Sequence, residues 1–483
     1  MIPLPVLPFK ISSLALLSSI QISNAPIAIL ALSIGLIVWL ITRYRLHAFF
    51  SLMSGAMVVG LCSAALKPEG KKFSQVIEQV MHEFGGTAGK LGFSIAIAAV
   101  IGKCLMESGA ADKIIRCFIA ILGEARAALA LLGCSFVLCA PVFYDTVMLL
   151  MMPLARALSL RVGRNYLLYV LAICAGGSIS NGIVPPAPGP LFVAESLKLD
   201  LGTAIFWGFL FGIPPALCAY FAACWINSRM QVPVREIAGS SLSSLEEIAA
   251  KPESSLPSLA WSVAPIVVPV LMIAAASLGA FLKSDLSAVM AQALEFFGNK
   301  NVALSCGAAV AVALLARQNR SSVKAVIGNI GSCAETAGVI ILIVSAGGAY
   351  GAMIKHSGVG ECVRELAGGR AIPYVLLAWG ISALIRAAQG SATVATITAV
   401  GILQSIAGNE GFGVHPVYIL ISIGLGSKFL NWMNDAGFWV VSRFSGLTQE
   451  ELLRSWTVLV SLLSVFGLME VLLLSSLFPN LWY

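Results

Sequence analysis

Two short segments of this chain carry groups able to bind an anion and exchange a proton, in surroundings that are otherwise oily: Cys139-Ala-Pro-Val-Phe-Tyr-Asp-Thr146 and Arg386-Ala-Ala-Gln-Gly-Ser-Ala-Thr393. A guanidinium such as that of Arg386 can fork onto a carboxylate through two parallel hydrogen bonds. A charge near the centre of a membrane segment costs at least about 2.5 to 3.5 kcal/mol, so Arg386 needs a partner. Asp145 or Asp435 can serve, and a substrate carboxylate can exchange with them. These two aspartates are also the candidates for proton coupling, because a carboxylate takes up or releases a proton as its surroundings change. Around them Gln389, Ser391, Thr393, Tyr144, Thr146, Asn431 and Asn434 supply uncharged donors and acceptors. A ligand rich in hydroxyls needs such an equipment, since each buried hydroxyl requires a partner. Lys428 is either a second anion-binding cation or a residue that snorkels to the interface.

The elements that hold these groups must lie in lipid. The chain is 58% hydrophobic and 11% charged, with a mean hydropathy of +0.92, against about 25% charged residues in soluble domains. The net charge of +7 comes from basic residues scattered through short loops, as the positive-inside effect requires, and gives no case for a nucleic-acid partner. The 11 cysteines fall singly in apolar stretches without metal-binding spacing, so neither a metal nor another cofactor is expected. His82-Glu83 lacks the second histidine of a zinc hydrolase, and no nucleophile pair is apparent, so no enzyme is expected. Residues 12–22 are read as part of a mature, amphiphilic N-terminus.

A bilayer core about 30 Å thick needs roughly 20 apolar residues per helix. Spans are expected at 25–42, 46–66, 88–107, 166–192 and 201–226, then at 261–282, 301–316, 329–354, 415–442 and 452–478. The polar stretch 227–260 reads as a linker between a first unit, 1–226, and a second, 261–483. Each unit holds one further apolar segment, 127–160 and 373–405, interrupted by a polar motif. A re-entrant hairpin suits both. An offset of 249 positions aligns Gly102 with Gly351, Ser108-Gly109 with Ser357-Gly358, Gly177-Ser178 with Gly426-Ser427, and Trp207 with Trp456. At the same offset, Pro185-Pro-Ala-Pro-Gly-Pro190 faces Asn434-Asp-Ala-Gly-Phe-Trp439. Four prolines cannot sit in one regular helix, so span 166–192 must break, and 415–442 with it. Five spans per unit, an odd number, turn the second unit upside down. The expected fold is an all-α polytopic membrane protein of two inverted repeats, each of about five transmembrane helices with a re-entrant hairpin and a broken helix. Loop charge places both termini outside a bacterial cytoplasmic (inner) membrane, with the first hairpin opening inward and the second outward.

At these residues the chain resembles the gluconate:proton symporter family, within a larger superfamily of ion transporters. The stretches that carry the resemblance are Pro141-Val-Phe-Tyr-Asp145, Gly182-Ile-Val-Pro-Pro-Ala-Pro-Gly-Pro190, Ala346-Gly-Gly-Ala-Tyr-Gly351, Ser357-Gly-Val-Gly360, Ile385-Arg-Ala-Ala-Gln-Gly-Ser-Ala-Thr-Val394 and Asn434-Asp-Ala-Gly-Phe-Trp439. The resemblance implies proton-coupled import of gluconate or a related small hydroxy acid, with hairpin tips and broken helices forming the site. It also implies a hairpin-bearing block that moves against a scaffold, which often forms a homodimer. The alternative within the same superfamily is a sodium-coupled carboxylate carrier or a sodium/proton antiporter. Tyr144, Lys428 and the run Asn431-Trp-Met-Asn-Asp435 depart from the family pattern at the presumed site.

Overall fold

The computed structural model describes residues 25–66, 73–123, 126–162, 164–230, 232–235, 255–281, 288–319, 326, 331–359, 361–362, 373–408, 411–433 and 435–481. Position 434 and the N-terminal stretch 12–22 lie outside the described residues, as does most of the linker.

Within these residues the chain is all-helical. Its first half runs α1 (Ala25–Tyr44), α2 (Ala48–Leu66), α3 (Phe73–Glu107), α4 (Ala110–Leu122), α5 (Ala127–Leu138), α6 (Tyr144–Val162), α7 (Tyr166–Ile183), α8 (Pro188–Ser196) and α9 (Leu201–Arg229). The second half runs α10 (Leu259–Phe281), α11 (Ala288–Gly298), α12 (Lys300–Gln318), α13 (Gly331–His356), α14 (Tyr374–Gln389), α15 (Ala392–Ala407), α16 (Pro416–Gly426), α17 (Ala436–Ser445) and α18 (Gln449–Leu477), the last with a π turn at Leu453–Thr457. Among the described residues seven helices are long and apolar enough to cross a membrane. The expected spans 25–42 and 261–282 fall on α1 and α10, of 20 and 23 residues, whereas 415–442 begins with the shorter apolar helix Pro416–Gly426. The last is short because the chain leaves the helix after Gly426. Two helices were not expected as elements. In α4, Ala111, Ile114 and Ile115 are buried while Asp112, Lys113 and Arg116 share the other side, the pattern of a helix lying in a membrane interface. The other, α11, is a short helix of 11 residues.

Helices α5 and α14 have 12 and 16 residues, which reach about 18 and 24 Å and fall short of an approximately 30 Å hydrocarbon core. Each is followed by a sharp turn and a returning helix, α6 or α15. The second turn has an explicit local cause. Gly390 caps α14 in the left-handed conformation, with φ +87°, and its N–H donates to the Arg386 carbonyl. Ser391 then caps α15 by accepting from the Val394 N–H. In the first turn Pro141 sits between Cys139, which closes α5, and Phe143, whose carbonyl accepts from Thr146 and Val147.

The two interrupted helices follow from sequence as directly. After Ile183 the backbone becomes extended at Val184, and Pro188 restarts the helix at its first position, where the missing N–H costs nothing. After Gly426 the chain turns through Ser427, Lys428 and Phe429, and Asp435 caps α17 by accepting from the Gly437 N–H.

Glycine lets these pieces converge. A Cβ on Gly424 would lie 2.3 Å from the Gly182 carbonyl oxygen, so α7 and α16 cross backbone to backbone at that point. A Cβ on Gly176 would lie 2.2 Å from the Leu132 carbonyl, and one on Gly426 would lie 2.4 Å from that of Trp379. Each outgoing hairpin arm therefore lies against an interrupted helix through a glycine. One core cluster joins the first hairpin, both interrupted helices, α9 and α18; a second joins α1, α2, the start of α3, α13 and parts of the second hairpin. At the linker end Arg235 forks onto Glu451 with two 2.6 Å hydrogen bonds, and Arg156 donates to the Arg235 carbonyl.

Gly424→Ala should cost about 1–3 kcal/mol by overpacking and lower the melting temperature of the detergent-purified protein. Gly85→Ala, whose Cβ meets nothing within 4 Å, should leave melting unchanged or raise it. Equal melting of the two variants would contradict the close crossing of α7 and α16.

Candidate functional site

The two hairpin turns and the two helix breaks surround one cavity of about 690 Å³. From the first hairpin come Phe143, Tyr144, Asp145 and Thr146; from the second, Arg386, Gln389, Gly390, Ser391, Ala392 and Thr393. The interrupted helices contribute Ser178, Asn181 and Pro188 on one side and Lys428, Asn431, Asp435 and Gly437 on the other. Val339, Ile340 and Ile343 of α13 form an apolar wall, and Trp456 of the π turn closes the lining. Of the eleven candidate residues named from the sequence, Lys428 included, ten lie on this one surface; the eleventh, Asn434, is outside the described residues.

Arg386 organises the cavity. It is 2% exposed, in the last turn of α14, where the helix carbonyls favour a cation. Its Nε donates to Asn431 Oδ1 at 2.6 Å and one terminal nitrogen, Nη2, donates to Asp435 Oδ2 at 2.5 Å. Asp435 also caps α17 through its other oxygen. One carboxylate therefore neutralises the arginine and starts a helix. Asn431 is held in turn, because Thr457 of the π turn donates to its carbonyl. π turns recur at functional sites because they redirect side chains that a regular helix would hide.

Several buried polar atoms in this cavity have no hydrogen-bond partner among the described residues: Arg386 Nη1, both amide atoms of Gln389, and Trp456 Nε1. Leaving a buried donor or acceptor unpaired costs about 1–3 kcal/mol each, so a polar ligand that satisfies them recovers that energy. Lys428, 4% exposed, donates from Nζ to Asn181 Oδ1 at 3.2 Å. Asp145 stands in the first turn of α6 and lines the cavity. The arrangement can take an acid group at the free side of the guanidinium and hydroxyls at Gln389, Ser391, Thr393 and Thr146. No group of three metal-ligating side chains forms among the described residues.

Three lining residues with hydrogen-bonding side chains are not among the ligand contacts expected from sequence: Ser178, Asn181 and Trp456. Ser178 and Asn181 are three apart on α7 and so share a face, a polar pair in an apolar span that a search by helical spacing would have found. Nothing in the local sequence of Trp456 signals its place, since it depends on the π turn. His356 is not among the residues that line the cavity; its Nε2 lies 3.9 Å from Glu83 at an exposed position.

Comparison with known proteins agrees with this architecture. The chain is similar, at 14% identity and a TM-score of 0.61, to the YdaH transporter of Alcanivorax borkumensis, over 90% of this chain and 99% of that one. It is similar to the same degree to MtrF of Neisseria gonorrhoeae, which belongs to a class of antimetabolite efflux pumps, over 93% and 98%. These likenesses concern the fold alone. In sequence it is 32% identical over 445 residues to a gluconate permease of Pseudomonas aeruginosa, covering 92% of this chain and 95% of that protein. It is 29% identical over 452 residues to the Gnt-II system L-idonate transporter of Escherichia coli, covering 93% and 99%, and 28% identical over 450 residues to that organism's high-affinity gluconate transporter, again 93% and 99%. The model of the GntP family permeases matches residues 25–477. With this match spanning both hairpins and both helix breaks, the chain belongs to the GntP permease family: a multi-pass transport protein of the bacterial inner membrane, and not an enzyme.

Proposed function

We propose that this chain imports gluconate or a closely related sugar acid together with protons, by alternating exposure of the cavity to the two sides of the membrane. The observation that carries the reading is the half-used guanidinium of Arg386, with an unpaired Nη1, in the same cavity lining as an unpaired Gln389 amide. A carboxylate accepts from the former and an adjacent hydroxyl pairs with the latter. The relatives named as gluconate and idonate transporters support the same ligand class. Tyr144, Thr146, Ser391, Thr393 and Asn431 line the same cavity and suit the remaining hydroxyls, with Asn434 their neighbour in sequence.

The moving block in this reading carries the hairpins 127–160 and 373–405, each seated on an interrupted helix, 166–192 or 415–442. Units 1–226 and 261–483, joined by the linker 227–260, are inverted copies, since each holds an odd number of spans. Elements follow one another at the offset of 249 in both halves: α5 and α14, α6 and α15, α8 and α17. Of the two aspartates proposed for proton coupling, Asp435 is committed to Arg386 and to its helix cap. Asp145 lines the cavity outside that pair, in the first turn of α6.

Labelled gluconate should accumulate in proteoliposomes under an inward proton gradient, and a protonophore should collapse the accumulation. Accumulation driven by sodium alone would refute proton coupling and favour a sodium-coupled carrier. Arg386→Lys keeps the charge and loses the fork; gluconate affinity should fall at least about tenfold, or roughly 1.4 kcal/mol, and unchanged affinity would remove Arg386 from the site. Asp435→Ala leaves a buried guanidinium without its counter-charge and should cost about 3–5 kcal/mol of stability. Melting of the purified variant close to that of the wild type would show that the pair does not hold the site together.

A further inference from the structure

Among the described residues four formal charges line the cavity, and two of them, Arg386 and Asp435, form an ion pair. Lys428 is different. It sits in the turn after α16, almost wholly buried, and among the described residues the hydrogen bond of its ammonium goes to a neutral group, Asn181 Oδ1. Its stem is fixed as well: a Cβ on Gly182 would lie 2.6 Å from Lys428 Cε, so the ammonium is held at the crossing of α7 and α16. The charged and titratable groups facing it are Arg386 from α14, Asp435 at the start of α17, Cys139 at the first hairpin turn and Asp145 across the cavity. None of the carboxylates lies within ion-pair distance of it among the described residues.

An arginine does not release its proton in a protein, whereas a lysine does so readily when its surroundings change. Asn181 Oδ1 accepts from an ammonium or from a neutral amine, so this hydrogen bond survives loss of the proton. A substrate carboxylate entering the cavity attracts an ammonium and gains nothing comparable from an amine. Substrate and proton then strengthen each other's binding by the same factor, which is the thermodynamic content of symport. Asp145 is less suited, because the first turn of α6 favours a negative charge there.

We propose that Lys428, and not a carboxylate, carries the coupled proton. The step balances simply. From the outward-facing cavity, the amine takes a proton from water as the acid anion binds; facing inward, the anion leaves, the ammonium gives its proton to water, and the carrier returns with a neutral amine. This rests on the proton-symport reading above and assigns its proton to a residue.

The test adds gluconate to the purified full-length protein in weakly buffered detergent solution and follows pH with an indicator dye. The wild type should take up protons on binding, and its affinity should fall as pH is raised through the titration of the amine. Lys428→Arg, permanently charged, should bind gluconate and exchange labelled for unlabelled gluconate across proteoliposomes. It should take up no proton and fail to accumulate gluconate on a proton gradient. Asp145→Asn should still take up protons. Lys428→Gln, a second variant in case the arginine is not accommodated, should bind at least about tenfold more weakly and with no pH dependence. Proton uptake that persists in Lys428→Arg, or in Lys428→Gln, overturns the assignment, as does its loss in Asp145→Asn alone. A wild type that binds gluconate with no proton uptake and accumulates it on sodium defeats the symport reading itself, a different result from either.

Discussion

A guanidinium buried among lipid-embedded helices is the constraint that shapes this molecule. Arg386 is tolerable there because Asp435 and Asn431 reach it, and both come from the stretch where the chain leaves α16 before starting α17. A continuous helix across 415–442 would carry those side chains on a fixed spiral, one turn after another. The break releases them to meet one arginine from a different element. Non-helical backbone at membrane depth is allowed only where protein or a wet cavity satisfies it, and here it is satisfied by the residues that need it. Asp435 supplies the cap of α17 with one oxygen and the counter-charge of Arg386 with the other.

Bringing four such backbone interruptions around one cavity requires helices to approach more closely than side chains normally permit. Gly182 against Gly424, and Gly351 against Gly401, remove the side chains at two of those approaches. In lipid, where helix association gains little from the hydrophobic effect, close packing of small residues is a main source of cohesion. The same glycines that allow the site to assemble therefore also hold it together, which links the small-residue content of the chain, 45 glycines in 483 residues, to its chemistry.

Much of this was legible in the sequence, for a physical reason: lipid penalises every departure from an apolar helix, so departures stand out. The run Pro185 to Pro190, the charge of Arg386 and the carboxylates Asp145 and Asp435 are visible against an oily background, and they mark the cavity. The fold class, all-helical and polytopic, followed from composition and span count. What escaped was what depends on packing. Trp456 enters the lining through a π turn that no local residue pattern announces. Asn181 is an ordinary amide until Lys428 reaches it from the other half of the chain, at a sequence separation of 247 residues. Helix α4 was hidden because an interfacial helix alternates apolar and charged residues and resembles a loop when spans are sought by hydropathy.

A carrier must also release what it binds, and the cavity's charge pattern suits that requirement. Had Arg386 lacked Asp435, a substrate carboxylate would face an uncompensated buried cation and bind too tightly to leave. With one terminal nitrogen and Nε already satisfied, the ligand competes for the remaining Nη1 and for the neutral amide of Gln389. Discrimination survives this moderation, because a site built to pair hydroxyls rejects a ligand without them by leaving its own polar atoms unpaired. In the proposed carrier, affinity is set by one shared arginine and selectivity by the uncharged groups around it. That division lets a binding site be specific for a polyhydroxylated acid while remaining weak enough to open on the other side.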